Sequence, residues 1–458
     1  MIPQHLFIGG GAQETIIGLF GLGMLLVSGA LIWLLPRRYI VIPLLLAGFL
    51  IPSSDVLVVW GSHFPPARIL ALFCLTRIGV TQQRYREGLF AGGMNGIDRA
   101  FLISTVVVSV NFVLIWKQWT AVVTQIGSLL GSVGMYVSLR FLIRTKSDIL
   151  RSIETLAYVA LANAIEMTNE KLSVRNLFVT ILGGVDSVPL VREGRIRSQG
   201  SFGHAILAGT FGAIVIPLCW VLWREGNKRL IAGIGSASAF IMILTSASST
   251  PLMGVVGLML GIVFWPLRKS MQAIRWGVLA TVVALQCVMK APVWFLIARV
   301  DLVGGSAAFD RANLIDTCVR HFWDWWLIGT RDIGSWGWSM WDLSDTYVSK
   351  AETGGLLGLV FFIVALKRSF ARLGDARKQA EGSKSEFALW LLGTALFVNI
   401  MTFFGVSYWD QTEILWLLLL TIISASATFT RRVNKSVRPP TPIETPTRGA
   451  QLARMSHL

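Results

Sequence analysis

The chain has 458 residues, of which 54% are hydrophobic and only 14% charged. A soluble domain carries about 25% charged residues, which excludes a water-facing globule of this size. The net charge of +16 sits in short clusters between apolar runs, a pattern of membrane topology and lipid contact rather than of nucleic-acid binding.

Crossing the hydrocarbon of a bilayer takes about 20 apolar residues. In chain order the runs that qualify are 15–35, 39–60, 66–80, 100–116, 120–143, 149–167, 203–223, 229–248, 251–267, 274–296, 353–367, 386–405 and 411–429. The first is too long for a signal-peptide core. The second carries Asp55 and the third is short, so those two also read as a re-entrant pair. The expected fold is all-α: a polytopic transmembrane helical bundle of about 12–14 spans over residues 1–430, with one long, partly helical outer loop. Glycines recur in the spans (Gly203, Gly209, Gly212; Gly254, Gly257, Gly261), as close helix packing in lipid requires. Residues 431–458 are basic and proline-rich, a composition expected to stay disordered.

Basic clusters fall between alternate spans. They are Arg37/Arg38; Arg84/Arg86/Arg99; Arg144/Lys146/Arg151; Arg224/Lys228/Arg229; Arg268/Lys269/Arg275; Lys367/Arg368/Arg372/Arg377/Lys378; and, in the tail, Arg431/Arg432/Lys435/Arg438. The positive-inside rule puts all of them in the cytoplasm, with the N-terminus outside and the tail inside. Of the 4 cysteines, Cys74, Cys219 and Cys287 lie in apolar runs and Cys318 is alone in a loop. Without a CxxC pair or a His cluster they predict neither a metal site nor a disulfide framework, and each reads as a small packing residue. No nucleotide-binding fingerprint or internal repeat is present.

Two outer segments, about 168–202 and 297–352, break the charge rule. The first holds Arg192, Arg195 and Arg197. Arginines on this side either touch lipid headgroups, since long loops escape the rule, or capture an anion in a planar, permanently charged fork. The second segment reads as helical from Phe309 to Trp326. At about 100° per residue, Arg311, Ile315, Cys318 and Phe322 share one stripe, with Asn313, Asp316, Arg320 and Asp324 opposite. Arg320 then has a solvated partner in Asp316. Arg311 shares the apolar face and needs a partner or a ligand. Trp323, Trp325, Trp326, Trp336, Trp338 and Trp341 read as an interfacial belt, or as surfaces that stack on sugar rings or close a site. Asp342, Asp345 and Glu352 precede the next span. An acid there caps a helix or deprotonates a hydroxyl. His204, in an apolar run, reads as a hydrogen-bonded packing residue. Asp55 reads as an expensive intramembrane charge unless its segment is re-entrant or interfacial.

The stretch Arg197-Ser-Gln-Gly200-Ser-Phe202-Gly-His204-Ala-Ile-Leu-Ala-Gly209 resembles the "R..G.F.HP..LG" signature of the O-antigen ligase and O-antigen polymerase superfamily. Thr245-Ser-Ala-Ser-Ser-Thr-Pro251-Leu-Met-Gly254 resembles that family's Ser-rich entrance to a following span. Arg311, then His321-Phe-Trp-Asp-Trp-Trp-Leu-Ile-Gly329, resembles "R......HP..G". Asp345-Thr-Tyr347 through Glu352-Thr-Gly354-Gly-Leu-Leu-Gly358-Leu resembles "HN.YL....E.GLLGL". These motifs stand in the family's order over residues 190–366.

The resemblance implies a membrane glycosyltransferase of a bacterial inner membrane, working at the periplasmic face. Its donor would be an undecaprenyl-diphosphate-linked oligosaccharide. Its acceptor would be a hydroxyl on a second glycan (polymerase) or on lipid A-core (ligase). No metal, nucleotide sugar or other cofactor is implied. Membrane lipid and a chain-length regulator are the further partners, and nucleic acid is not one. On this resemblance Arg197 and Arg311 bind the diphosphate, supported by Arg195. The family's "HN" histidine is absent, because Leu343, Ser344 and Asp345 stand there. Asp345, Asp342 or Glu352 would then serve as the base, or His321. The entrance also lacks the family's arginine, with Ser249 and Thr250 in its place. Both departures favour an exopolysaccharide or O-antigen polymerase over a ligase. The competing readings are a lipid-linked glycan flippase without covalent chemistry and another polyprenyl-phosphate-dependent glycosyltransferase.

Overall fold

The computed structural model describes residues 14–59, 62–85, 88–184, 190–192, 194–296, 307–337, 340 and 344–430. Asp342, Trp338, Trp341 and the tail 431–458 lie outside them. The described chain is helical, with two small antiparallel hairpins. Its helices are α1 Leu19–Leu34, α2 Val41–Leu50, α3 Pro66–Tyr85, α4 Gly96–Trp116, α5 Trp119–Leu142, α6 Lys146–Ser173, α7 Leu177–Leu182, α8 Ala205–Glu225, α9 Arg229–Thr245 and α10 Ser249–Val263. They continue as α11 Met271–Val288, α12 Ala307–Arg320, α13 Phe322–Trp325, α14 Thr346–Gln379, α15 Lys384–Phe403 and α16 Gln411–Ser424. The hairpins are β1 Leu57–Val59 with β2 Ser62–Phe64, and β3 Leu190–Arg192 with β4 Arg195–Arg197.

Among the described residues, 5 helices are long and apolar enough to cross a membrane: α4, α5, α8, Arg268–Val288 and α15. Four shorter apolar helices, α1, α9, α10 and α16, accompany them. Each apolar run of the sequence contains a helix, but the run 39–60 is helical only over the 10 residues of α2. That is about 15 Å of rise, half the hydrocarbon thickness. Ile51 precedes Pro52 and is extended (ψ 128°), so the helix stops there. The chain then passes through a turn at Asp55 into β1. The run 66–80, expected to be short, is instead the 20-residue α3.

Charge divides the bundle into two ends. Arg37 pairs with Asp148 at the start of α6, and Arg151 donates to the Arg38 carbonyl. Arg144 donates to the Gly88 carbonyl, Lys146 pairs with Glu225, and Lys228 pairs with Glu154. Arg268 and Arg377 share Glu386, and Lys269 pairs with Glu381. Clusters far apart in sequence thus meet at one end of the molecule. Arg140 lies near this end too, fully buried with Nε 2.8 Å from Asp98, whose carboxylate also accepts from the Tyr136 hydroxyl. The opposite end holds both hairpins, α12, α13 and the junctions 197–204, 246–250 and 404–411.

α11 differs from the other long helices. None of its residues is buried, and Trp276, Val278, Leu279, Val283 and Val288 are all exposed. Its length and hydropathy are those of a helix able to cross a membrane.

Candidate functional site

Arg197 ends β4, and the segment after it makes a tight turn at Gly200, whose φ is +61°. A Cβ there would meet the Asn163 amide oxygen at 2.6 Å, so only glycine fits. The turn is clamped from below by α6. Glu170 accepts from the Gln199 and Gly200 amides, each at 2.9 Å. Asn163 accepts from the Ser201 amide and hydroxyl. Phe202 then buries its ring beside Phe211. His204 caps α8 by accepting from the Ile206 amide at 3.1 Å. Burial and the nearby Arg197 charge lower its pKa to about 4. It is therefore neutral near pH 7 and serves as a cap.

This scaffold aims Arg197 at the α9–α10 junction, where Nη2 donates to Ser248 Oγ at 2.6 Å. Arg311, coming from the other outer segment, donates to the next two hydroxyls: Ser249 Oγ at 3.2 Å and Thr250 Oγ1 at 2.8 Å. Residues 197 and 311 therefore meet on three consecutive hydroxyl side chains. Arg197 is 8% exposed and Arg311 5%. Ser248 and Ser249 precede or start α10, so the anion-favouring end of that helix faces the guanidinium pair.

Asp345 lies beside this pair. It caps α14, with Oδ1 accepting from the Val348 amide at 2.9 Å. Its Oδ2 is buried and has no hydrogen-bond partner among the described residues. Burial raises its pKa to about 7 against the opposing pull of the Val348 and Tyr347 amides and the Arg311 charge. Glu352 stands seven residues on, on the same face of α14, and burial raises its pKa to about 7 as well. α12 turns buried Cys318 toward them, and burial, then the Asp345 and Glu352 carboxylates, push its thiol up to about 12.

Glycine also sets the position of Glu352. α14 bends at Gly355 (φ 60°, ψ −166°). The Glu352 carbonyl there accepts from the Thr330 amide, and the Leu356 amide donates to the Trp326 carbonyl, both at 2.8 Å. The one helical bond that the Leu356 N–H and the Glu352 carbonyl would share is exchanged for two bonds that stitch the loop after α13 onto α14. Trp325 anchors the same loop, buried with Nε1 donating to the Cys318 carbonyl.

Other sequence candidates stand elsewhere. Arg195 is exposed on the β3–β4 hairpin. His321 ends α12, about 15 Å of helix rise from Arg311. It bonds Asp324 and stacks on Trp336 at 4.8 Å. Asp342 lies outside the described residues. Asp316, expected to be solvated, is 5% exposed, because it accepts from the Trp294 indole at 3.1 Å as well as from Arg320 at 2.7 Å. Asp55 is fully buried with no side-chain hydrogen bond among the described residues, and burial raises its pKa to about 7. It lies outside any helix.

Sequence reasoning missed the clamp on α6. Asn163, Glu166 and Glu170 lie at i, i+3 and i+7, one buried polar stripe near the end of α6. That spacing was a usable signal. It also missed the 404–411 junction, where Gly405 accepts from Thr250 and Val406 from Thr346. These bonds tie the partner of Arg311 to the neighbour of Asp345. Compared with known proteins, the chain matches no family model and no curated sequence.

As chemistry, the site offers two desolvated guanidinium groups converging on one helix start, with a carboxyl of near-neutral pKa beside them. That combination can hold a dianionic group and move a proton at a nearby oxygen.

Proposed function

We propose that the chain is a membrane glycosyltransferase that moves a glycan from a lipid diphosphate carrier, undecaprenyl diphosphate, onto an acceptor hydroxyl. The observation that carries this reading is the convergence of Arg197 and Arg311 on Ser248, Ser249 and Thr250 beside Asp345. Two guanidinium forks brought to one helix start match the two phosphoryl groups of a diphosphate. In the reaction the acceptor oxygen attacks the anomeric carbon. The bond from that carbon to the phosphate oxygen breaks, and its electron pair leaves with the diphosphate. The acceptor proton passes to Asp345 Oδ2. Arg197 and Arg311 stabilise the charge that grows on the leaving phosphate, a contribution of about 3 kcal/mol for one well-placed donor.

The bundle sits in a bacterial inner membrane with about 12–14 crossings and the basic end in the cytoplasm, which turns the arginine pair to the periplasm. α11, uncovered on all sides, faces lipid and leaves a lateral way in for the carrier chain. Transfer to a growing glycan, as by an O-antigen or exopolysaccharide polymerase, fits better than transfer to lipid A-core, because Asp345 occupies the place of the ligases' histidine. A flippase would use charges inside its spans; of those in the apolar runs, Arg140 is committed to Asp98 and Lys290 is exposed, which leaves Asp55.

The test is transfer in vitro from lipid-diphosphate oligosaccharide by purified protein. Arg197→Ala and Arg311→Ala should each lower the rate by about 10²–10³-fold with the protein still folded. Wild-type rates in both would remove the assignment.

A further inference from the structure

On the far side of the 404–411 junction lies a cavity of about 130 Å³ between α3, α5 and α16. Its polar wall is made by Arg68, Ser128, Ser132, Asp410, Gln411 and Glu413. Several features mark it as built for a ligand. α5 has a π-helical turn at Leu130–Gly134, which carries Gly131 and Ser132 into the cavity. Such turns collect at functional sites. Asp410 has φ 49° and ψ −124°, a backbone conformation strained for a non-glycine residue. Gln411 is 3% exposed. Its Nε2 donates to the Ser201 carbonyl at 2.8 Å, while its Oε1 has no hydrogen-bond partner among the described residues.

The charge pattern selects the ligand. Glu413 accepts from Ser132. Arg68 Nη1 donates to the His63 carbonyl at 2.8 Å. Arg68 forms no ion pair with Asp410 or Glu413 among the described residues. Two carboxylates against one guanidinium repel a phosphate. Carboxylate, amide, guanidinium and hydroxyl groups side by side suit a ligand that donates and accepts at every edge, which is a sugar. Pro52, Pro65 and Pro66 add rigid apolar edges against which its C–H faces can rest.

We propose that this cavity binds a sugar unit of the acceptor glycan, with Asp410 and Glu413 accepting from its hydroxyls and Arg68 donating to its oxygens. The proposal rests on the transfer reading above and assigns the acceptor a place apart from the arginine pair. The 404–411 junction links the two: Val406 is bonded to Thr346, next to Asp345, and at most about 14 Å of chain separates it from Asp410. An acceptor held here would point its growing end toward the base.

The experiment measures binding of free oligosaccharides, prepared by partial acid hydrolysis of the host's own surface polysaccharide, to full-length protein in lipid nanodiscs. Wild type, Arg197→Ala and Arg311→Ala should bind alike. Glu413→Gln and Asp410→Asn should bind at least tenfold more weakly. Gly131→Val, which fills the cavity without removing a charge, should do the same, and melting curves would show which variants are folded. A Cβ at Gly131 meets only Arg68, no nearer than 3.5 Å, so this variant stands in should a carboxylate variant fail to fold. No binding by wild type, or unchanged binding by the folded cavity variants, overturns the proposal. If the cavity variants bind normally while Arg197→Ala loses transfer, the acceptor site falls and the glycosyltransferase reading stands. If the oligosaccharide binds as expected but wild type transfers nothing, the sugar site stands and the transferase reading falls.

Discussion

Asp345 keeps one carboxyl oxygen bonded to the start of α14 and leaves the other buried without a described partner. On the transferase proposal its pKa of about 7, set by burial, would have it act as a base that switches on near neutrality. The transfer rate of wild type should therefore rise with pH through about 7. Asp345→Asn should lose about 10²–10⁴-fold in rate and flatten that rise, which a pH–rate profile would read. The same shift has an opposite consequence for stability. A carboxyl with a raised pKa in the fold is favoured protonated, so its stabilising contribution is complete at acid pH. That contribution fades as the pH climbs from the ordinary carboxylate range through about 7. Asp345→Asn, which cannot ionise, should melt higher than wild type at pH 8 while being less active. Arg311→Lys should not restore activity, because an ammonium cannot span two hydroxyls as the fork does. Arg311 was legible because a charge on an apolar stripe needs a partner. That this partner is the α10 start, shared with Arg197, joins residues 114 positions apart in sequence, and no local pattern encodes it.

At the scale of elements, the kink at Gly355 couples the outer loop to α14. A Cβ there would stand 2.8 Å from the Leu327 carbonyl, on a backbone that costs other residues about 1–3 kcal/mol. Gly355→Ala should straighten α14 and release residues 326–330. Hydrogen exchange at the Thr330 amide should quicken while the Leu356 amide, returned to a helical bond with Glu352, stays protected, and transfer should fall without loss of either arginine. Helical periodicity located α12 and its apolar face. It did not locate the kink, because Gly354-Gly355 inside an apolar run reads equally well as a close-packing surface. The span 39–60 was over-read for a related reason. Hydropathy measures how apolar a segment is, and a buried helix of 10 residues followed by an extended strand is as apolar as a full crossing.

For the whole molecule, the contacts between distant basic clusters set up a test of orientation. Cysteines introduced at Arg195, on the exposed hairpin, should react with membrane-impermeant thiol reagents added to intact spheroplasts. Cysteines at Lys228 or Lys269, at the basic end, should react only after the membrane is opened. Labelling in the reverse sense would put the arginine pair on the cytoplasmic face and end the transferase proposal. Composition alone pointed to a chain of apolar helices able to cross a membrane, since so few charges cannot clothe a soluble surface and every backbone group in lipid must be bonded within its own helix. The alternation of basic clusters with spans dictated which loops share a side. What only the tertiary structure decided is which polar groups inside that bundle meet. The clamp of Asn163 and Glu170 on the Gly200 turn, the shared hydroxyls under Arg197 and Arg311, and the cavity beside Gln411 each join segments far apart in the chain. Burial makes such meetings energetically decisive, yet they leave no periodic trace in any one segment.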